Sequence, residues 1–486
     1  MKLKELNSAV QIPTLILLFA LVSNASIANA QETESLQSVT LTEFLSQLKN
    51  EHPLFTKENL TSEIFRTRQQ SLAGVQDWNF ASSFSYFSDE PVISFASPEK
   101  TVGGSLSGGI EKIFWGTGGR LSTTITTTSL KFTLPVGFMN IPTDYYQSEV
   151  ALTYIQPLMK NRRGLLDRLQ YNLMQFDIDA SEINALENEE NFLTESAGKF
   201  LTWVFLVEQR NIIEERLKLS RTELERTERK RKANLVEKVD LIRAGDAVRI
   251  AEQNLFLSES RLNGLKAELA VLTQQTDYEN MTPQYELYNT ETLPPLDEVR
   301  ATIESDSRIV LMLNIRIQQL NLARRGFKET AKPNLGLIAQ ISKKELDEGL
   351  GGSFGLEKTD ALIALQFSVP LGNNTAKSNI STTDVRISQL RSQVREVVIG
   401  LTSIVSNLHT QMNDMEKVLQ LNIEQINSSK EKTEEELKLY NQGRGDLTFV
   451  IQSRDNEQNA KLLYAVNAFT YHSLLIQYRS LTDQLL

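Results

Sequence analysis

The side chains best suited to chemistry are few, and their spacing argues against a reaction centre. Histidine occurs only at His52, His409 and His472, and none stands in a His-x-x-x-His or Glu-x-x-His pattern that would put two metal ligands on one helix face. Each reads as a packing or surface residue. The glycine pairs Gly103-Gly104, Gly108-Gly109 and Gly118-Gly119 offer backbone amides to a phosphate, but no Gly-Lys-Ser/Thr follows and no strand-turn-helix context surrounds them. They read as turn chemistry. No catalytic residues, no cofactor-binding residues and no metal ligands are indicated, so the chain is not expected to be an enzyme. What remains is charge at two places, Arg229-Lys230-Arg231-Lys232 and Gly443-Arg444-Gly445-Asp446. A basic run at a helix C-terminus is favoured by the helix dipole, and it also offers a surface to another protein. An Asp at a reversal caps a helix; facing its own copies across an opening, it makes a ring of charge.

Which alternative applies depends on the elements that carry these residues. Leu165 to Lys232 has no proline and a single glycine, Gly198, which predicts a helical rod of ~100 Å. Ser378 to Tyr440 repeats this with only Gly400 interrupting, for ~95 Å. Rods of that length imply coiled-coil-like packing. Each ends at a tight reversal, Ala233-Asn234-Leu235 before Val236 to Thr273 and Gln442 to Gly445 before Leu447 to the end, and Asn234 and Gly443 are of the types that tolerate a left-handed backbone. Both charged places are therefore tips of helical hairpins.

The two hairpins belong to an internal duplication. Leu41 to Tyr86 aligns without a gap on Leu296 to Ile341, pairing Leu41 with Leu296, Glu51 with Asp306 and Asn59 with Asn314; Ala151 to Leu158 aligns on Ala364 to Leu371. In each half an amphipathic helix (Leu41 to Ala73 in the first) leads to period-two segments and then to the rod. The predicted strands are Trp78 to Phe87, Glu149 to Pro157, Pro333 to Ser342 and Leu362 to Pro370, with Thr101 to Phe132 as an extra β insertion of strands broken by turns. The expected organisation is a signal peptide over 1–30, a first repeat over 31–295 and a second over 296–486.

The signal reading rests on Lys2 and Lys4, the apolar run Ile12 to Val22, and Ala28-Asn29-Ala30. That run is too short to span a membrane. With no cysteine, stability must come from burial rather than disulfides. A net charge of −10 at pH 7 argues against nucleic acid as a partner. No later apolar run is long enough for a membrane helix, yet a transmembrane β-barrel hides in such a composition because its lipid-facing residues alternate with polar ones. Four strands fall short of the smallest barrels of ~8. Chains must associate to close one.

The sequence resembles the TolC-like outer membrane efflux proteins over nearly all of 31–486. The resemblance is carried by Gln156-Pro157-Leu158 followed by Asn161, Arg162 and Gly164, by Lys332-Pro333-Asn334-Leu335, by Val369-Pro370-Leu371-Gly372, and by the hairpin turns with Asp240-Leu241-Ile242-Arg243-Ala244 after the first. It implies an α+β membrane protein in which long antiparallel α-helical hairpins form an α-barrel across the periplasm, joined to a twelve-stranded transmembrane β-barrel in the outer membrane. It further implies a homotrimer that docks a periplasmic adaptor (membrane fusion) protein and an inner-membrane transporter, as the passive duct of a tripartite efflux or type I secretion system. The acidic ring of well-known members would fall at Phe449 and Gln452, which carry no carboxylate. Asp446, one turn nearer the tip and beside Arg444, would narrow the pore instead, or Phe449 would close it by dewetting. The docking tips would be Lys230, Lys232, Asn234, Leu235 and Val236 on the first hairpin and Gly443 and Gly445 on the second. The competing reading is a periplasmic coiled-coil scaffold without a pore, its β segments packed as soluble sandwiches; aromatics on alternating strand faces argue against it.

Overall fold

The computed structural model describes residues 38–90, 92, 98–133, 143–275 and 277–485. The expected signal peptide lies outside the described residues. The chain starts with β1 (Ser38–Thr40), then α1 (Leu41–Glu51) and α2 (Pro53–Ala73). One continuous helix was expected here. It breaks because His52 is extended (φ −75°, ψ 131°), its Nδ1 accepts from the Leu54 amide at 3.3 Å, and Pro53 cannot continue a preceding turn. At the other end of α1, Thr40 and Glu43 form a reciprocal capping box.

After β2 (Asn79–Asp89), β3 (Lys100–Phe114), β4 (Gly119–Thr133) and β5 (Asp144–Pro157), the chain descends through α3 (Leu169–Lys232) and returns by α4 (Lys238–Thr273). The second half runs through β6 (Thr282–Gln284), α5 (Leu296–Asp306), α6 (Arg308–Thr330), β7 (Asn334–Asp347), α7 (Leu350–Ser353) and β8 (Lys358–Ser368), then α8 (Asn374–Asn441) and α9 (Leu447–Leu481). With 64 and 68 residues, α3 and α8 are rods of ~100 Å. α4 and α9, of 36 and 35 residues, cover about half that length. Towards the sheet the remainder of α3 is covered by α2 and α6: Gln69 Nε2 donates to the Tyr171 carbonyl and Gln319 Nε2 to the Leu173 carbonyl, both at 3.2 Å. No described helix is long and apolar enough to cross a membrane.

The core lies midway along the rods, where α1 and α5 tuck against them. Phe44, Leu48, Phe200, Trp203, Leu269, Val299, Ile303, Met412 and Tyr471 are buried there, with Phe44 and Trp203 ring centroids 5.5 and 5.8 Å from that of Phe200. His472 belongs to this core. Its Nε2 donates to the Leu287 carbonyl at 3.0 Å, so the neutral ring accepts from the Tyr285 hydroxyl at Nδ1, 2.8 Å away. Burial pushes its pKa down.

The sheet departs from expectation. It holds six strands in the order β2-β3-β4-β5-β7-β8, all antiparallel, where four per chain were expected. The insertion supplies β3 and β4, which lie inside the sheet between β2 and β5. Gly103-Gly104 and Gly108-Gly109, read as turns, sit within β3, and at Gly103 and Gly109 the missing side chain makes room for a close neighbour. A Cβ on Gly103 would lie 2.6 Å from the Phe87 ring, and one on Gly109 2.8 Å from the Thr123 carbonyl oxygen. Only Gly118, at φ 71°, makes a turn, that of the β3–β4 hairpin.

Candidate channel wall and docking tips

Strand register sorts the sheet into two unlike faces. Phe84 stands opposite Leu106 and Phe80 opposite Ile110; Ile125 faces Val150, Leu152 faces Ile341, Ala339 faces Ile363, Leu337 faces Leu365 and Leu335 faces Phe367. Residues paired in register share a face, so one face carries apolar side chains on all six strands, with Thr123 and Thr127 interleaved opposite Ile110 and Leu106 where β3 meets β4. It is uncovered: Phe84 is 72% and Ile363 80% exposed. On the other face Ser83 pairs with Ser107, Ser105 with Thr128 and Thr126 with Glu149. Its hydroxyls bond across strands, Ser83 to Ser107 at 2.8 Å and Ser105 to Thr128 at 3.0 Å. Its charges pair too, Arg120 with Glu111 at 3.0 Å and Lys344 with Asp360 at 2.5 Å.

The junction between sheet and rods gathers the motifs singled out in the sequence. Asn161 (φ 61°) caps the turn after Pro157: its amide donates to Glu329, its Oδ1 accepts from the Leu166 amide and its Nδ2 donates to Asp167. The Leu158 amide donates to the Leu335 carbonyl and the Lys160 amide to the Pro333 carbonyl, so the two Pro-Leu and Pro-Asn segments hold one another. The β3–β4 turn rests on the same junction. There the Arg163 amide and Gln156 Nε2 both donate to the Thr117 carbonyl, and Trp115 packs edge-on against Tyr171 of α3.

At the first tip Asn234 is left-handed (φ 59°), the Leu235 amide donates back to the Lys230 carbonyl at 2.9 Å, and the Arg231 guanidinium donates to the Val236 carbonyl. Leu235 and Lys232 are exposed. Lys230 is not. Its ammonium lies 3.4 Å above the Tyr440 ring and donates to the Tyr440 carbonyl, so it faces the second hairpin, and burial pushes its pKa down. Nothing in the spacing of Lys230 indicated this contact, because a helix face cannot be assigned without its neighbour.

At the second tip Gly443 is left-handed (φ 71°) and Gly445 lies so close that a Cβ would meet the Tyr440 nitrogen at 2.9 Å. Arg444 is exposed. Asp446 is the N-cap of α9: its carboxylate accepts from the Thr448 amide at 2.7 Å and lies 3.9 Å from Arg243. Hydrogen bonding from Thr448, with Arg243 adding, holds its pKa below the usual carboxylate range. Phe449 and Gln452 are exposed one and two turns further along. Gln452, with Arg243, Asp246, Ile250, Asn254 and Asp455, lines a cleft of roughly 580 Å³ between α4 and α9. Deeper, buried Arg216 binds Asp455 at 2.6 Å and ties α3 to α9.

Near the C-terminal end of α9, Glu187, Glu190 and Asp483 converge. Arg308 pairs with both Glu190 and Asp483, which ties this end of the chain to α3 and α6. Burial pushes the pKa values of Glu187 and Glu190 up.

No protein-family model and no curated protein sequence matches this chain. Solved structures do. The outer membrane protein VceC of Vibrio cholerae superposes with a TM-score of 0.63 at 11% identity, over 92% of this chain and 95% of its own. The CmeC outer membrane channel of Campylobacter jejuni gives 0.62 at 12% identity, over 96% and 94%, and the open MtrE outer membrane channel of Neisseria gonorrhoeae 0.59 at 15%, over 92% and 89%. The chain thus has the fold of the TolC-like outer membrane channels.

Proposed function

We propose that this protein is an outer membrane duct of a tripartite efflux or type I secretion system, passively carrying substrates from a periplasmic adaptor and inner-membrane transporter to the cell exterior. The observation that carries this reading is the division of the sheet into one largely apolar face and one polar face above rods of ~100 Å. A membrane admits strands only in a closed barrel, since each unpaired backbone group in hydrocarbon costs several kcal/mol. A single open sheet leaves both edges unsatisfied, so copies must join, as a homotrimer in this reading. The apolar face then meets outer membrane lipid, and the polar face lines water. We divide the chain into a repeat over 31–295 and a second over 296–486, each supplying strands and one long hairpin. The tips at Asn234–Val236 and Gly443–Gly445, with exposed Lys232, form the adaptor-docking end, where Asp446, Phe449 and Gln452 are the narrowing residues beside Arg444.

A pore-free scaffold is disfavoured by the same uncovered face, because a soluble protein covers such a surface. The test is to purify the mature chain in mild detergent, weigh it, and reconstitute it in a planar bilayer. A mass of three chains and discrete conductance steps are expected. A stable monomer with intact β content, or an oligomer that conducts nothing, overturns the reading.

A further inference from the structure

The β3–β4 hairpin has no counterpart in the second half of the chain, and it sits where it changes the size of whatever the sheet encloses. It pairs along most of its length on both sides, Thr101 to Glu111 of β3 with β2 and Arg120 to Lys131 of β4 with β5, and its turn is fixed to the sheet–rod junction through Thr117 and Trp115. It is therefore part of the wall and not a flap. Among the described residues the outer edges of β2 and β8 have no partner strand. Those edges match. Each strand is 11 residues long, and because an even number of antiparallel strands separates the two ends, β2 and β8 run in opposite directions. Head-to-tail joining of copies thus makes every pair antiparallel, with the apolar face of β8 (Ile363, Leu365, Phe367) continuing into that of β2 (Phe80, Phe84). Curvature agrees: the close approaches at Gly103 and Gly109 lie on the polar face, as expected of a sheet bent with that face inward.

We infer that the occupant of each edge is a second copy of this chain, β2 against β8, and that three six-stranded sheets close an eighteen-stranded barrel. This rests on the trimeric duct proposed above. With strands ~4.8 Å apart and tilted ~40°, eighteen strands span about 36 Å between backbones, against about 24 Å for the twelve that four-stranded chains would give. Barrels of that size hold an open aqueous channel. The outer passage is wider than the resemblance implied, and the narrowing of the path falls to the hairpin tips alone.

The chain has no cysteine, so introduced pairs report the seam directly. Ser83→Cys on β2 would be combined in turn with Leu362→Cys, Ala364→Cys and Gln366→Cys on β8, all on the polar face, to allow for stagger between copies. The variants would be oxidised in native outer membrane and run on denaturing gels. The detergent-solubilised oligomer would also be imaged by electron microscopy at a resolution that counts strands. Covalent dimers and trimers from at least one pair, with eighteen strands in the image, are expected. A trimer by mass with no cross-link from any pair and a twelve-stranded image removes the hairpin from the wall while leaving the duct intact. Cross-linked oligomers weighing two chains overturn the count and the trimer together, and a stable monomer overturns both readings.

Discussion

The middle of the rods and the sheet above them place the same residue types in opposite circumstances. Around Phe200 and Trp203, aromatic side chains from α1, α3 and α9 meet inside a single chain and lose all contact with water. On β2 every residue is exposed, Phe80, Phe84 and Tyr86 included. The first region is complete in one copy. The second, in the duct proposed above, meets lipid on one face and a neighbouring copy at its edges. The helical middle should therefore form before assembly, and the sheet should gain its stability only with closure in a membrane.

The largest effect that sharpens this contrast is at the centre. Trp203→Ala removes a fully buried indole and should cost about 3–5 kcal/mol, read as a lowered denaturant midpoint of the helical signal, with or without lipid. If that midpoint moves only when lipid is present, the middle is not self-sufficient. On the sheet the dependence should reverse. Phe84→Arg or Ile363→Arg places a charge on the apolar face and should cost about 2–4 kcal/mol near the bilayer midplane, while Ser83→Arg on the opposite face of the same strand should be nearly neutral. Measured as folding into vesicles, equal costs at positions 83 and 84 would mean that the face defined by register does not meet lipid.

How much of this was legible in the sequence follows the same division. The rods, their reversals and the matching of α1 with α5 could be read because helix periodicity and the absence of proline and glycine are local signals. The break at His52 could have been read from Pro53 in the first turn of α2. The six-stranded sheet could not, because glycine pairs in β3 look like turns until Phe87 and the Thr123 carbonyl are seen in the space a side chain would need. The tips fall between. Asn234 and Gly443 announced their left-handed backbone, but the turn of Lys230 towards Tyr440 depends on a second hairpin whose face no local pattern assigns.

A smaller effect separates two roles at the second tip. Asp446→Ala should cost about 1 kcal/mol through loss of the cap on the Thr448 amide. If Asp446 also narrows the path in the assembled duct, single-channel conductance and its cation dependence should rise in the same variant. Unchanged conductance would leave Asp446 as a cap and move the constriction to Phe449 and Gln452, and Phe449→Ala would then be the variant that opens the pore.

The smallest expected effect is a slope with pH rather than a step, and it belongs to the middle of the rods. His472 is buried neutral, with its pKa pushed below the ordinary value of about 6.5. Arg479, Glu291, Tyr285 and Tyr471 are the charged or titratable groups around it. The unfolded chain takes up the proton first, so the stability that this ring contributes is present above about pH 6.5 and is lost as pH falls below it. Glu187 and Glu190 act in the other sense: burial raises their pKa values, the folded chain takes up the proton first, and acid favours folding there. Melting points taken between about pH 5 and 8 should therefore fall towards acid in the native protein, and His472→Gln should flatten or reverse that slope by leaving the carboxylates alone. A native slope that survives the substitution would place the acid sensitivity outside the buried middle; the N-cap of α9 does not supply it, because Asp446, held below the ordinary value of 3.8, takes up its proton only at pH below that window.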